Sequence, residues 1–146
     1  MSLIKAINSV LTKNLAIKKE EKVLIITDKN KYPIAKHFFY QSKHITKTDL
    51  VIIPIGKVDG QEPPNKVAKL MKNYDVEILI TTRSLSHTSA RIEASKYARI
   101  TSMPNITRES ILRALNIDYK QLSKVNNKIN RSLDKGKIVL IKTKLG

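Results

Sequence analysis

Short, uninterrupted apolar runs rich in β-branched residues recur along this chain, each followed by a stretch with helical spacing. Val23-Leu24-Ile25-Ile26-Thr27, Leu50-Val51-Ile52-Ile53 and the segment from Val76 to Thr82 are the clearest. A strand without polar alternation is buried on both faces, the condition of a parallel sheet covered by helices. The intervening segments fit that demand. Leu3, Ile4, Ile7, Val10 and Leu11 repeat at helical spacing behind Ser2, a suitable N-cap. Pro33 suits the first turn of a helix carrying Ile34, Ala35, Phe38, Phe39 and Ile45. Val67, Ala68, Leu70 and Met71 mark a third helix, and Ser86 to Tyr97 a fourth. Ala98 to Ser102 reads as a short strand, and Thr107 caps a helix with Ile111, Leu112 and Leu115. Asp118 caps the last helix, whose apolar face is Leu122, Val125, Ile129 and Leu133. Gly136 ends it as a residue tolerant of positive φ, and Lys137 to Thr143 reads as a fifth strand. The alternation predicts a single α/β domain over residues 1–146. It would be three-layered, with a mainly parallel five-stranded sheet and helices on both faces, Rossmann- or flavodoxin-like. The strands are expected near 22–28, 49–55, 76–82, 98–102 and 137–143.

Composition narrows the chemistry. The absence of cysteine excludes disulfides, thiol nucleophiles and cysteine-based zinc sites, and matches a cytoplasmic location. No apolar run reaches 18 residues, and Lys5 and Asn8 interrupt the leading segment, so neither a spanning helix nor a signal peptide is expected, and no membrane partner. The charge is extreme: 28 Lys+Arg against 12 Asp+Glu, a net +16. That balance raises nucleic acid as a partner, and with it an alternative function, a stand-alone basic nucleic-acid-binding α/β module. Yet 22 of the 28 cations are lysine and isoleucine occurs 20 times, the composition of a chain shaped by an AT-rich genome. Lys120, Lys124, Lys128 and Arg131 span about 80° opposite the apolar stripe of the last helix. They read as a phosphate rail or as an ordinary solvated face, and no aromatic residue interleaves them.

Ligands of open parallel sheets bind beyond the C-terminal strand ends, where strand order reverses. With the order 2-1-3-4-5 that point lies between the first and third strands. The loops there begin at Asp28 and at Arg83-Ser84-Leu85-Ser86-His87-Thr88, the richest polar cluster in the chain. This second loop leads into a helix whose free N–H groups favour an anion. Asp28, Arg83, Ser84, Ser86, His87, Thr88 and Arg91 are therefore the candidate contacts to a substrate carboxylate or phosphate. Ser86, His87 and Arg91 are expected to line a partly open concavity. A serine here is equally explained as a helix cap. No catalytic set is visible. His37 and His44 share a helix face but lie roughly 10 Å apart along the axis, too far to share a metal. Four glycines and no Gly-x-Gly-x-x-Gly or Walker string leave nucleotide binding without a motif.

The string from Thr81 to Tyr119 contains Ser84-Leu85-Ser86-His87-Thr88, Ala90-Arg91 and Met103-Pro104-Asn105-Ile106-Thr107. It resembles the N-terminal domain of the leucyl aminopeptidase (aminopeptidase T) family of metallo-aminopeptidases. Glu20-Glu21-Lys22-Val23-Leu24-Ile25 and Gln61-Glu62-Pro63-Pro64 extend the resemblance over nearly the whole chain. Glu20 stands where relatives often have Gly, and Asn105 replaces a turn Gly. The resemblance implies a two-domain hydrolase about twice as long, releasing N-terminal amino acids from peptides. Its divalent metal ions would be held by carboxylates and histidines of a C-terminal domain. No cofactor is implied for residues 1–146 themselves. This domain would shape one wall of the cleft for the peptide substrate and support a homodimer. The same superfamily resemblance admits a metal-dependent ring-opening dioxygenase as the parent. The chain is expected to be a piece of such a protein, inactive alone.

Overall fold

The computed structural model describes residues 2–114 and 119–145. The chain divides into two compact units, residues 1–115 and 116–146. The first is an α/β fold built on an all-parallel sheet of four strands: β1 (Val23–Asp28), β2 (Thr48–Ile53), β3 (Val76–Ile80) and β4 (Arg99–Ser102), in the order β2-β1-β3-β4. Its helices are α1 (Leu3–Ser9), which runs into a π-helical turn over Val10–Asn14, α2 (Tyr32–Lys43), α3 (Asn65–Met71), α4 (Ser89–Ala94) and α5 (Arg108–Ala114).

The two-sided burial expected of the inner strands is met. Every residue of β1 and β3 is buried. Val23, Ile25, Val76, Ile78 and Ile80 pack with Ile7 of α1, Phe38 of α2 and Ile111 of α5. Leu24, Ile26 and Leu79 face the other way, onto Val67 and Met71 of α3 and Ala94 of α4. Ser2 caps α1 by accepting from the Lys5 amide, and Pro33 stands in the first turn of α2. Thr107 accepts from the Ser110 amide at the start of α5, as expected of a cap.

The expected fifth strand is corrected. Residues 137–143 form no strand, and Ile138, Val139, Leu140 and Ile141 are 63–88% exposed. A strand exists only where a neighbour takes its N–H and C=O groups, and among the described residues none pairs with this segment. In the second unit α6 (Tyr119–Lys135) carries the expected apolar stripe, with Leu122, Val125, Ile129 and Leu133 each about half-exposed. Its expected cap, Asp118, and Leu115 of the preceding helix lie outside the described residues. Gly136 follows α6, but its φ is not positive. What favours glycine there is crowding, since a Cβ would sit 3.2 Å from the Ser132 carbonyl oxygen.

One polar tie fastens the edge strand β4. The Arg99 guanidinium donates to both oxygens of Glu21 (2.9 and 2.8 Å), and its Nε donates to the Leu15 carbonyl. The fork holds the Glu21 carboxyl down at about 2, well below its ordinary 4.5. A lowered carboxylate pKa stabilises the fold fully above 4.5, and that contribution is lost as pH falls toward 2. Arg99 is half-exposed, so Arg99→Ala is expected to cost only about 1 kcal/mol. It should return the Glu21 titration toward 4.5. A carboxyl NMR titration checks this, and an unchanged Glu21 would overturn it.

Candidate functional site

The reversal of strand order falls between β1 and β3, and it brings the loop after Asp28 against the loop after Ile80. Asp28 is 1% exposed. Its Oδ1 accepts from the Asn30 and Lys31 amides (3.0 and 3.2 Å) and the Thr82 hydroxyl (2.9 Å), and its Oδ2 accepts from the Thr82 amide. The carboxylate thus lies at the expected end of the sheet, but it is engaged in tying the two loops together.

The hydroxyls of the second loop are similarly occupied. Ser84 Oγ accepts from the Ser86 amide, and Ser86 Oγ donates to Ser102 Oγ of β4 at 2.9 Å. Thr88 donates to the Leu85 carbonyl and accepts from the Arg91 amide, so Thr88 is the N-cap of α4. The helix begins at Ser89, three residues later than the sequence pattern placed it, because buried Leu85 anchors the preceding turn. The Arg91 Nε is buried without a hydrogen-bond partner, and the charge of Arg91 bears on buried Glu77. His87 and Arg83 are exposed.

The amides at the start of α4, expected to attract an anionic ligand, already have one from the chain itself. Glu62 accepts from Ser89 N (2.6 Å) and Ala90 N (3.1 Å). These bonds, the Ser89 amide foremost, hold its carboxyl below the usual range. Glu62 belongs to the loop that follows β2, which closes over the strand ends. The Gly60 amide donates to the Ser84 carbonyl and Ser84 N to Asp59 Oδ1, both at 2.8 Å. Gly60 has φ +80°, which only glycine adopts freely.

Beneath this loop is a cavity of about 200 Å³. Ile53, Pro54, Val58, Pro63 and Leu85 form its apolar wall, and Gln61, Glu62 and Arg83 stand on its polar side, with Asp28 and Thr81 at its base. Of the expected contacts, the structure brings Asp28 and Arg83 to this cavity. Ser84, Ser86, His87, Thr88 and Arg91 are not among its lining residues. Opposite the loop, the turn that carries the resemblance holds Asn105 at φ 51°, the left-handed region in which Asn stands in best for Gly. Its amide donates to Thr81 O at 2.8 Å.

Two features escaped the sequence reading. Glu62 is held by the amides of Ser89 and Ala90, 27 and 28 positions away, which no local pattern encodes. Glu77 did carry a signal: it is a carboxylate inside the apolar run Val76–Ile80. It is fully buried, neither oxygen has a hydrogen-bond partner, and burial pushes its pKa up to about 8 against the opposing pull of Arg91. Among the described residues no three His, Asp or Glu side chains gather to hold a metal ion. They therefore do not fit the divalent ion implied by the resemblance, and no step is derived through it.

No family model matches the chain, and no curated protein matches it. Among solved structures, wild-type AmpT from Thermus thermophilus is similar at 10% identity and a TM-score of 0.45, over 77% of this chain and 41% of that one. The chain thus spans 41% of the length of that protein.

Proposed function

We propose that this chain is the N-terminal α/β part of a metal-dependent aminopeptidase-like hydrolase, which releases N-terminal amino acids from peptides. One observation carries the reading. Within the string that bears the family resemblance, Thr81 to Asn105 includes the residues that close the strand-order reversal and the cavity's Arg83–Leu85 wall. Open parallel sheets place ligands at that point. In this reading Arg83 and His87, both exposed, meet the substrate. Asp28, Ser84, Ser86 and Thr88 hold the loop, and Arg91 braces α4. In this reading the divalent metal would be bound by further residues of the parent protein. A homodimer and a cytoplasmic setting belong to the same proposal.

The test uses the complete reading frame in which this sequence occurs. Metal-dependent release of leucine from leucyl amide is expected. Arg83→Ala and His87→Ala should each lower kcat/KM about tenfold or more while leaving the unfolding midpoint unchanged. Residues 1–146 alone should release none. A complete frame without metal-dependent amide hydrolysis, or hydrolysis by residues 1–146 alone, would sink the reading. Ring cleavage of a catechol by the complete frame would move the parent to the dioxygenase class.

A further inference from the structure

We propose that the cavity beneath the loop after β2 is a binding site for a small aliphatic carboxylate, either a free acid or the C-terminal residue of a peptide. The inference deepens the reading above and rests on its assignment of Arg83 as a ligand-facing residue.

Asp28 gives its oxygens to Asn30, Lys31 and Thr82, and the Glu62 oxygens accept from the amides of Ser89 and Ala90. Thr81 donates its hydroxyl proton to the Arg83 carbonyl. Gln61 Oε1 accepts from the Lys57 amide at 2.6 Å, which leaves the Gln61 amide nitrogen as a donor. Among the described residues the Arg83 guanidinium has neither a hydrogen-bond nor an ion-pair partner. The Asp28 and Glu62 carboxylates are engaged by the loops' own amides, so the side-chain groups without a partner in the site are donors, the Gln61 amide nitrogen and the planar Arg83 fork. Such a fork matches a carboxylate with two parallel hydrogen bonds.

The rest of the cavity is apolar. Ile53, Pro54, Val58, Pro63 and Leu85 call for a hydrocarbon body, which phosphate lacks. At ~30 Å³ for each water-sized group, about 200 Å³ admits a body of roughly six or seven heavy atoms. Gly56 abuts the stems of both side chains, since a Cβ there would lie in ordinary contact with Arg83 Cβ (3.4 Å) and Gln61 Oε1 (3.6 Å).

Nitrogen–proton NMR titration of residues 1–146 tests this. The branched six-carbon acid 4-methylpentanoate should give saturable shifts confined to residues 53–64 and 81–85, with Kd on the order of 1 mM. Its neutral amide should bind about tenfold more weakly, and inorganic phosphate should not saturate. Arg83→Met should make acid and amide equal, and Val58→Asp should weaken both. Glycyl-leucine titrated beside the free acid identifies the source: binding of the dipeptide alone assigns the site to peptide C-termini, and binding of both to the carboxylate as such. Equal binding of acid and amide by the unsubstituted chain, phosphate binding as tight as the acid, or no saturation by either carboxylate at about 20 mM would overturn the proposal. No hydrolysis is measured, so a failed titration leaves the hydrolase reading standing. An inactive complete frame leaves a positive titration standing.

Discussion

Glu77→Leu is expected to stabilise the chain by about 3 kcal/mol at pH 7, and by more at pH 9. Glu77 lies in the middle of the inner strand β3, fully buried, on the face packed by α3 and α4, and neither of its oxygens is hydrogen-bonded. Its carboxyl titrates at about 8 in the fold against 4.5 in the free side chain. The unfolded chain therefore releases this proton first. Between pH 4.5 and 8 each rise in pH favours the unfolded state, by up to ~1.4 kcal/mol per unit, and above 8 the penalty is constant. Leucine removes the penalty and fits the apolar surroundings. Glu77→Gln isolates the charge from the shape, and its stability profile should be flat where that of the parent falls. Arg91 pulls the Glu77 pKa down, so Arg91→Ala should extend the alkaline loss to higher pH. Since Glu21 loses its contribution below 4.5, the two carboxylates together place the stability maximum near pH 5. Urea unfolding of the parent and both Glu77 variants at pH 5, 7 and 9 is the measurement. Parallel profiles for the parent and Glu77→Gln would refute the assignment.

The inner strands are readable because each is an apolar run that the fold buries on both faces. Val23 to Asp28 and Val76 to Ile80 are covered on both sides, so apolar continuity and structure coincide. Ile138 to Ile141 have the same local character, and among the described residues no strand pairs with them. Pairing is a property of what lies alongside, and a run of four aliphatic residues carries no information about that. The site divides in the same way. The meeting of the Asp28 and Arg83 loops follows from strand order, which the element sequence constrains. What each side chain does there does not follow. Glu62 reaches the α4 amides across 27 positions, and the hydroxyls of Ser84, Ser86 and Thr88 are claimed by neighbours. A polar residue near a strand end looks the same in sequence whether it serves a ligand or the loop.

Asp28 is where that ambiguity has the largest measurable consequence. Were it a ligand contact, Asp28→Ala would leave stability within about 1 kcal/mol, as surface positions do. In the fold it accepts four hydrogen bonds while 1% exposed, three of them from backbone amides. Bonds to a charged acceptor contribute roughly 1.5–3 kcal/mol each before desolvation of the carboxylate is subtracted. Alanine removes all four bonds at once, and a loss of about 4 kcal/mol is expected. Asparagine is the sharper probe. Its oxygen can keep the Asn30 and Lys31 amides, but its NH₂ then faces the Thr82 amide, donor against donor. Asp28→Asn should therefore fall between, at about 2 kcal/mol, while leaving the loop after β1 in place. The loss should appear as a lowered urea midpoint with an unchanged slope. The cavity should open as well, because Thr82 is released and it adjoins Arg83. An Asp28→Ala chain with the parent's midpoint would return the carboxylate to the ligand side of the site.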